Sequence, residues 1–534
     1  MTQPEEDKLA PLHARIAHME RDLTALRRAL ALLSEVDDAL EQAMRRQWSV
    51  ARTMGALIER ACALSGASAL HVRTLQPDGS QSFVWPDELA FSRVDLEAVC
   101  AQIMREGSVL THELVGYRLD VDGQELGAAV MIPAPGEQAE LVLERLGLWS
   151  EQVDNYLGAV VDAQRKQAAL RELSDALRHP ILDVGLNQAI EVLARYVPYR
   201  DLALVLRYDT SAAHTSLNWR VATPDGLHGP ASAARADEAL DASVSALLHG
   251  EPSGLLGRFG LSDNRQEVTL LAGDERGVVG RVSIGLAHDE QLGPFGRDVL
   301  DRFADYIRQR VVDFNKEWKR LSHNFPQVIV RRLLQEPSYQ ERFLSPREQE
   351  VAVLFCDISG FTRLSESVLK EPKLIGKLID EWGNQCVEFI WDAGGVFDKM
   401  VGDCIIGLWG PPFYERGAQE LCRAAAKAAR QIRDYTQTLA VAFPELAAME
   451  PPVGVATGVN WCPLFVGTFG PDENFTGFSS GMNNTARLQG VAGRDEILCM
   501  ESFVSIYGEP EAFGEERQAT VKNVAQPLIF RPLR

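Results

Sequence analysis

The sequence predicts an α/β (α+β) protein of several domains threaded by helices, and three observations predict it. Its 534 residues exceed what one hydrophobic core serves, which favours roughly two to four domains. Apolar residues recur at helical spacings in some stretches and form short β-rich runs in others. The run VAVLF, Val351 to Phe355, is continuous rather than alternating, as in a strand buried on both faces.

Composition narrows the class. Hydrophobic residues make up 46% and charged residues 24%, ordinary for a globular chain. The net charge of −21 disfavours nucleic acid or an anionic membrane as partner, since both need basic surface. No stretch of about 20 apolar residues occurs, so no transmembrane segment is expected. The start, MTQPEEDKLAPLHAR, lacks a basic region followed by an apolar one, so no signal peptide is expected. Eight scattered cysteines without a CxxC indicate neither a zinc site nor a disulfide framework. A cytoplasmic location with reduced thiols is the expectation.

Residues 1–37 place Leu9, Leu12, Ile16, Met19, Leu23, Leu26, Leu30 and Leu33 at alternating spacings of three and four, until Asp37 interrupts the seam. This predicts a homodimeric coiled coil; the alternative is an amphipathic helix packed on its own domain. Residues 38–165 read as a mixed unit: a helix (Trp48 to Leu64), a strand ALHVRTL, the turn QPDGS, a strand GAAVMIPA and a closing helix (Leu141 to Lys166). Residues 166–315 repeat that order with a helix (Val184 to Tyr196), DLALVLRYD, EVTLLAG, GVVGRVSIGLA and a long helix from Pro294. Both units resemble GAF domains by element order and hydrophobic pattern, the second more than the first. That resemblance implies a small-molecule ligand of unknown identity; inert spacers or dimerisation domains are the alternative. The nucleotide-binding signature of some GAF domains has no match here, and the Asn-Lys of FNKEW falls in the exit helix. That helix carries its own seam, Leu300, Ile307, Val311, Phe314, Trp318 and Leu321. A weaker one, Val153, Tyr156, Val160, Leu170 and Leu177, lies between the units. The seams suggest a parallel dimer along the chain; packing within each monomer is the alternative. Residues 316–344 read as linker or transducer helices.

Residues 345–534 carry the chemistry. Asp357 sits where the buried strand meets the next helix, and Gly360 permits a tight turn. The helix from FTRLSE would aim free N–H groups at the loop, which suits phosphate. An aspartate beside phosphate calls for a divalent cation, because hard oxygen ligands and phosphate oxygens share Mg²⁺ well. In GGVFDKMVGDCIIGLWG, Asp403 follows Gly402 in a hairpin turn before a second apolar strand. Alone, each aspartate reads better as a turn or capping residue. Together they could flank two ions that clamp the attacking and leaving oxygens of a displacement at phosphorus.

FCDISGFT, FDKMVGD and the block from Gly454 to Gln489 together resemble the catalytic domain of class III nucleotidyl cyclases. The resemblance implies a ferredoxin-like α/β core, active as a homodimer with sites at the interface, and two Mg²⁺ or Mn²⁺ ions per site. By position, Asp357 and Asp403 match the metal aspartates and the Ile358 carbonyl a backbone ligand, with Gly360, Phe361 and Thr362 at the phosphate turn. Lys399 and Thr476 match the pair that reads adenine, Asn483 the ribose-orienting asparagine, and Arg487 the arginine that stabilises charge on phosphorus. Lys522 falls near the triphosphate lysine, with Asn523 where a glycine is usual. Lysine only donates, which suits N1 of adenine and not the N1–H of guanine. The resemblance thus implies ATP as substrate, cyclised to 3′,5′-cyclic AMP and pyrophosphate under control of the N-terminal units. A guanylyl cyclase and a non-catalytic nucleotide-sensing regulator remain as alternatives. No GxxxxGK[ST] occurs, and GGVFD departs from a GGDEF signature. Ser479 and Asn484 depart from the usual residues beside the site.

Overall fold

A computed structural model describes residues 3–76, 79–121, 123–209, 215–230, 238–262, 264–272, 277–287, 291–471, 473–521 and 526–534. They divide into two compact units, Met1–Glu172 with Gly293–Val299, and Leu173–Leu292 with Leu300–Arg534. Among the described residues no helix is long and apolar enough to cross a membrane.

In the first unit, α1 (Gln3–Arg46) and α2 (Val50–Ser65) precede β1 (Ala67–Gln76) and β2 (Gly79–Trp85). Then follow α3 (Leu96–Glu106), β3 (Ser108–Leu110), β4 (Val115–Val121), β5 (Gln124–Pro133) and α4 (Ala139–Leu177). The sheet is antiparallel in the order β2-β1-β5-β4-β3. Alternation along β1 and β5 sends Leu70, Val72, Ala129 and Met131 into one core with Met54, Leu57 and Trp149 of α2 and α4. Ala69, Ala128 and Val130 go to the other face, with Cys100 and Ile103 of α3.

Three expected boundaries fall inside helices. No Gly or Pro stands between Asp37 and Arg46, or between Lys166 and Leu177, so α1 runs past Asp37 and α4 past residue 166. The boundary at 315 likewise lies inside the exit helix. Leu32, Val36 and Ala39 of α1 are buried in the domain core, whereas the seam residues Ile16, Met19, Leu23, Leu26 and Leu30 are 47–65% exposed.

The second unit begins with α5 (Leu182–Tyr196), β6 (Asp201–Asp209), β7 (Thr215–Thr223) and β8 (Gly226–His228). It continues with α6 (Glu238–His249), α7 (Leu255–Phe259), β9 (Arg265–Ala272), β10 (Gly277–Gly285) and α8 (Pro294–Leu321). The sheet order is β8-β7-β6-β10-β9. Counting strands within each sheet, the two domains share the neighbour order second, first, fifth, fourth. Ala203, Val205, Trp219 and Val221 face α6. Tyr208, on the opposite face, packs against Phe314 of α8 with ring centroids 4.7 Å apart and planes inclined at 44°. The exit-helix seam is occupied within the chain: Leu300, Ile307, Val311, Phe314, Trp318 and Leu321 are all buried. Intramolecular packing, not a dimer seam, accounts for that helix.

The same unit ends in a larger domain. It comprises α9 (Gln327–Leu334), β11 (Arg347–Ile358), α10 (Phe361–Arg363), α11 (Pro372–Asp392), β12 (Val396–Val401), β13 (Cys404–Trp409), α12 (Ala418–Gln437) and α13 (Leu439–Ala442). After these come β14 (Val455–Phe469), β15 (Asn474–Phe478), α14 (Ser480–Gln489), β16 (Ile497–Met500), α15 (Glu501–Tyr507), β17 (Arg517–Ala519) and β18 (Leu528–Pro532). The strand order is β12-β13-β11-β14-β16-β18-β17, with β15 also paired to β14. β14 and β16 are parallel and joined through α14. Leu354, Cys356, Ile405 and Val459 pack with α11 and α12 on one face of the sheet. There Trp382 Nε1 donates to Thr436 Oγ1 at 2.9 Å, which satisfies a fully buried indole.

Candidate active site

The opposite face of that sheet collects the polar residues. Register pairs Lys399 with Ile406, Ile406 with Phe355 and Phe355 with Gly458, so the side chains of the first three share a face, to which Gly458 adds none. Asp357, two residues beyond Phe355, lies on it too and pairs with Cys404 and Ala456. Beyond Asp357 and Ile358 the chain turns. Ser359 N donates to Gly454 O at 2.8 Å, and Gly360 takes φ 74°, a left-handed conformation that glycine adopts without strain. Phe361 and Thr362 begin only a short α segment, which widens to a π-type winding over Leu364–Leu369.

Asp403 follows Gly402 (φ 64°) in the two-residue turn between Val401 and Cys404. Its carboxylate meets that of Asp357. Burial first, then Asp403, pushes Asp357 up to about 7, because two close carboxylates resist ionising together. Asp403 Oδ2 is buried and makes no hydrogen bond. Among the described residues no three His, Cys, Asp or Glu side chains converge. Two carboxylates and the adjacent Ile358 carbonyl therefore fit a hard cation that shares its sphere with phosphate oxygens or water.

Lys399 Nζ donates to Thr476 Oγ1 at 2.8 Å and lies 5.5 Å from the Phe478 ring centroid. Asn483 and Arg487 lie one turn apart on α14. Ser479, which departs from the usual glycine, caps that helix by accepting from Met482 N at 3.1 Å. α14 rests on Gly458, where a Cβ would lie 2.6 Å from Gln489 N and 2.7 Å from Thr485 O. Lys522 lies outside the described residues.

Two residues escaped the sequence reading. Asp398 is buried beside Lys399, whose Nζ is 3.5 Å from one carboxylate oxygen, and neither oxygen makes a hydrogen bond of ordinary geometry. Burial holds the carboxyl above its usual range against the pull of Thr476 and Lys399. Neighbours in a regular strand would face opposite sides; a bulge between Phe397 and Lys399 sets that rule aside. The second is Asn324, three residues past the end of α8. Its Nδ2 donates to Phe397 O at 2.8 Å, Asp398 O at 3.1 Å and Phe475 O at 3.3 Å. Its own carbonyl accepts from Phe397 N at 3.0 Å and Trp391 Nε1 at 3.1 Å. Asn324 thus ties together the two strands that carry Lys399 and Thr476. Asn324→Ala would leave buried carbonyls without donors, at about 1–3 kcal/mol. The expected outcome is a lower Tm together with a raised KM for nucleotide, read by calorimetry and steady-state kinetics.

Comparison with family models finds no match. The chain is 27% identical over 175 residues to an adenylate cyclase of Anabaena cylindrica, a match covering 31% of this chain and 32% of that protein. It is 29% identical over 165 residues to the photoactivated adenylate cyclase subunit alpha of Euglena gracilis, covering 30% of this chain and 14% of that one. The chain therefore spans about a third or less of these relatives' lengths. Among solved structures, an adenylyl cyclase from P. aeruginosa is similar at 25% identity and TM-score 0.33, over 36% of this chain and 97% of that one. A guanylate cyclase domain from Catenaria anguillulae, in complex with GTP, is similar at 17% identity and TM-score 0.30, over 35% and 98%.

Proposed function

We propose that the chain is an adenylyl cyclase, converting ATP to 3′,5′-cyclic AMP and pyrophosphate. The observation that carries this reading is the Lys399–Thr476 pair, set on the same sheet face as Asp357. Lys399 offers a donor to N1 of adenine, and Thr476 can accept from the 6-amino group. Asn483 orients the ribose, and Arg487 meets charge growing on the α-phosphoryl oxygens. The ribose 3′-oxygen bonds to the α-phosphorus as the bond to the bridging α–β oxygen breaks, the hydroxyl losing its proton and pyrophosphate leaving. Asp357, Asp403 and the Ile358 carbonyl would hold Mg²⁺ or Mn²⁺, which when bound favours the 3′-alkoxide and offsets phosphate charge.

The reading includes a homodimer in which the carboxylates of one protomer face Lys399, Thr476, Asn483 and Arg487 of its partner. Two observations favour it: half-exposed Phe478, beside Lys399, pairs in register with half-exposed Phe465, and the seam residues Ile16, Met19, Leu23, Leu26 and Leu30 are exposed. The N-terminal domains are read as GAF-like sensors that modulate turnover.

The test supplies ATP and GTP in parallel to the purified full chain with Mg²⁺ or Mn²⁺. Cyclic AMP from ATP supports the reading; cyclic GMP in preference would establish the guanylyl alternative, and nucleotide binding without product the non-catalytic one. Lys399→Glu is expected to lower kcat/KM for ATP roughly 10–150-fold, since a hydrogen bond from a charged donor contributes about 1.5–3 kcal/mol.

A further inference from the structure

A cavity of about 610 Å³ lies in the second unit, on the face of the β6–β7 sheet that points away from α6. Its size falls in the range of small-molecule sites. Its floor is a buried polar network. Arg220 Nε donates to Asn187 Oδ1 at 2.8 Å, and its two terminal nitrogens donate to Asn218 Oδ1 at 2.5 Å and Asp183 Oδ1 at 2.7 Å. Asn218 Nδ2 donates in turn to Tyr208 Oη at 2.7 Å and Asp183 Oδ1 at 2.9 Å. Arg220, Asn218 and Tyr208 are each at least nine-tenths buried.

Counting protons on that floor leaves donors over. Tyr208 Oη accepts from Asn218, so its own O–H is uncommitted among the described residues. One N–H of the Arg220 nitrogen that serves Asp183 is uncommitted as well. Unused buried donors call for an acceptor. Asp183 balances Arg220, while Arg331 adds a second cation to the lining. The remaining walls are apolar, with Leu182, Phe314, Trp318 and Leu334 prominent.

We infer that this cavity binds a small monoanionic ligand with an apolar body, an aryl or alkyl carboxylate, its acceptor oxygens toward Tyr208, Arg220 and Arg331. The wall formed by Arg331, Leu334 and Gln335 belongs to the α9 segment. That segment is tied to the C-terminal domain by Arg332, which donates to Glu415 at 2.8 Å and covers the Phe413 ring at 3.7 Å. A ligand here touches the element that leads into the catalytic sheet. Its effect on turnover rests on the adenylyl cyclase reading; its binding does not.

The test is calorimetric titration of the full chain with 1-naphthoate and with octanoate, against neutral 1-naphthamide and octanamide. At least one carboxylate is expected to bind one per chain and at least tenfold tighter than its amide. Arg331→Glu, at an exposed helix position, is expected to weaken it about tenfold or more. Leu334→Trp, checked for unchanged Tm, is expected to abolish it by filling the cavity. Binding of neither carboxylate, or binding that both variants leave unchanged, overturns the site. With a carboxylate bound, the initial rate of cyclic AMP formation is expected to change at least twofold in the wild type and not in Arg331→Glu. Binding without a rate change in an active enzyme overturns the link through α9. Binding in a chain that forms no cyclic product leaves the site standing and overturns the proposed function instead.

Discussion

Asp403→Asn is expected to lower cyclic AMP formation by more than about 10²-fold while leaving the cation-free fold as stable as the wild type, or more so. The figure for activity is a lower bound: residues that merely support metal ligands already cost about 10–100-fold in affinity or activity when removed, and Asp403 is read as a ligand itself. The stability half follows from Asp357. Burial and Asp403 push that carboxyl up to about 7, above its value in an unfolded chain. Between the two values the folded state binds more protons than the unfolded one, so its stability falls as pH rises through that window. The amide introduced by Asp403→Asn carries no charge, which relieves the repulsion and flattens that dependence. Thermal melts from pH 5 to 8 in EDTA, and again in Mg²⁺, check both halves. The wild type should gain Tm on adding Mg²⁺ by mass action, and Asp403→Asn should gain less. A variant that loses activity and also melts much earlier in EDTA would place Asp403 in the fold rather than in the chemistry.

Gly458→Ala is the second large effect. The added Cβ would meet backbone atoms, Gln489 N and Thr485 O, which no side-chain rotation can clear. The helix α14 must move outward, at roughly 1–3 kcal/mol. It carries Asn483 and Arg487, and a displacement of about 1 Å in such positioning groups can cost 10²-fold in rate. The expected result is a modest fall in Tm with a fall in kcat of about 10²-fold and a smaller change in KM. The folded fraction at the assay temperature, read by circular dichroism, distinguishes displacement from unfolding, since a partly unfolded population lowers kcat only in proportion to the fraction lost.

The opening of this site was legible because its elements are local. VAVLF reads as buried and lies in β11. The Gly360 and Gly402 turns announce themselves because only glycine takes those positive φ values freely. The spacing between Asn483 and Arg487 needs nothing beyond the helical repeat. Asp398 escaped notice because strand alternation is a rule about regular strands, and the bulge that breaks it is set by pairing with β13. Asn324 was invisible because its partners, Phe397, Asp398 and Phe475, are far along the chain. The seam of α8 misled for a related reason: periodicity shows that one face of a helix is apolar, but not what covers it.

By itself, then, the sequence determined the main helices and strands, the glycine turns, and which residues are proposed to bind phosphate, metal and base, because these depend on neighbours a few positions away. Only the tertiary structure decided that Lys399 bonds to Thr476, that Asp357 and Asp403 share one corner, and that α8 packs inward while Ile16, Met19, Leu23, Leu26 and Leu30 of α1 remain exposed. It also decided that a cavity opens between β7 and α9. Register, bulges and the covering of apolar faces are set by contacts between distant segments, and the free energy of those contacts exists only once the chain has folded.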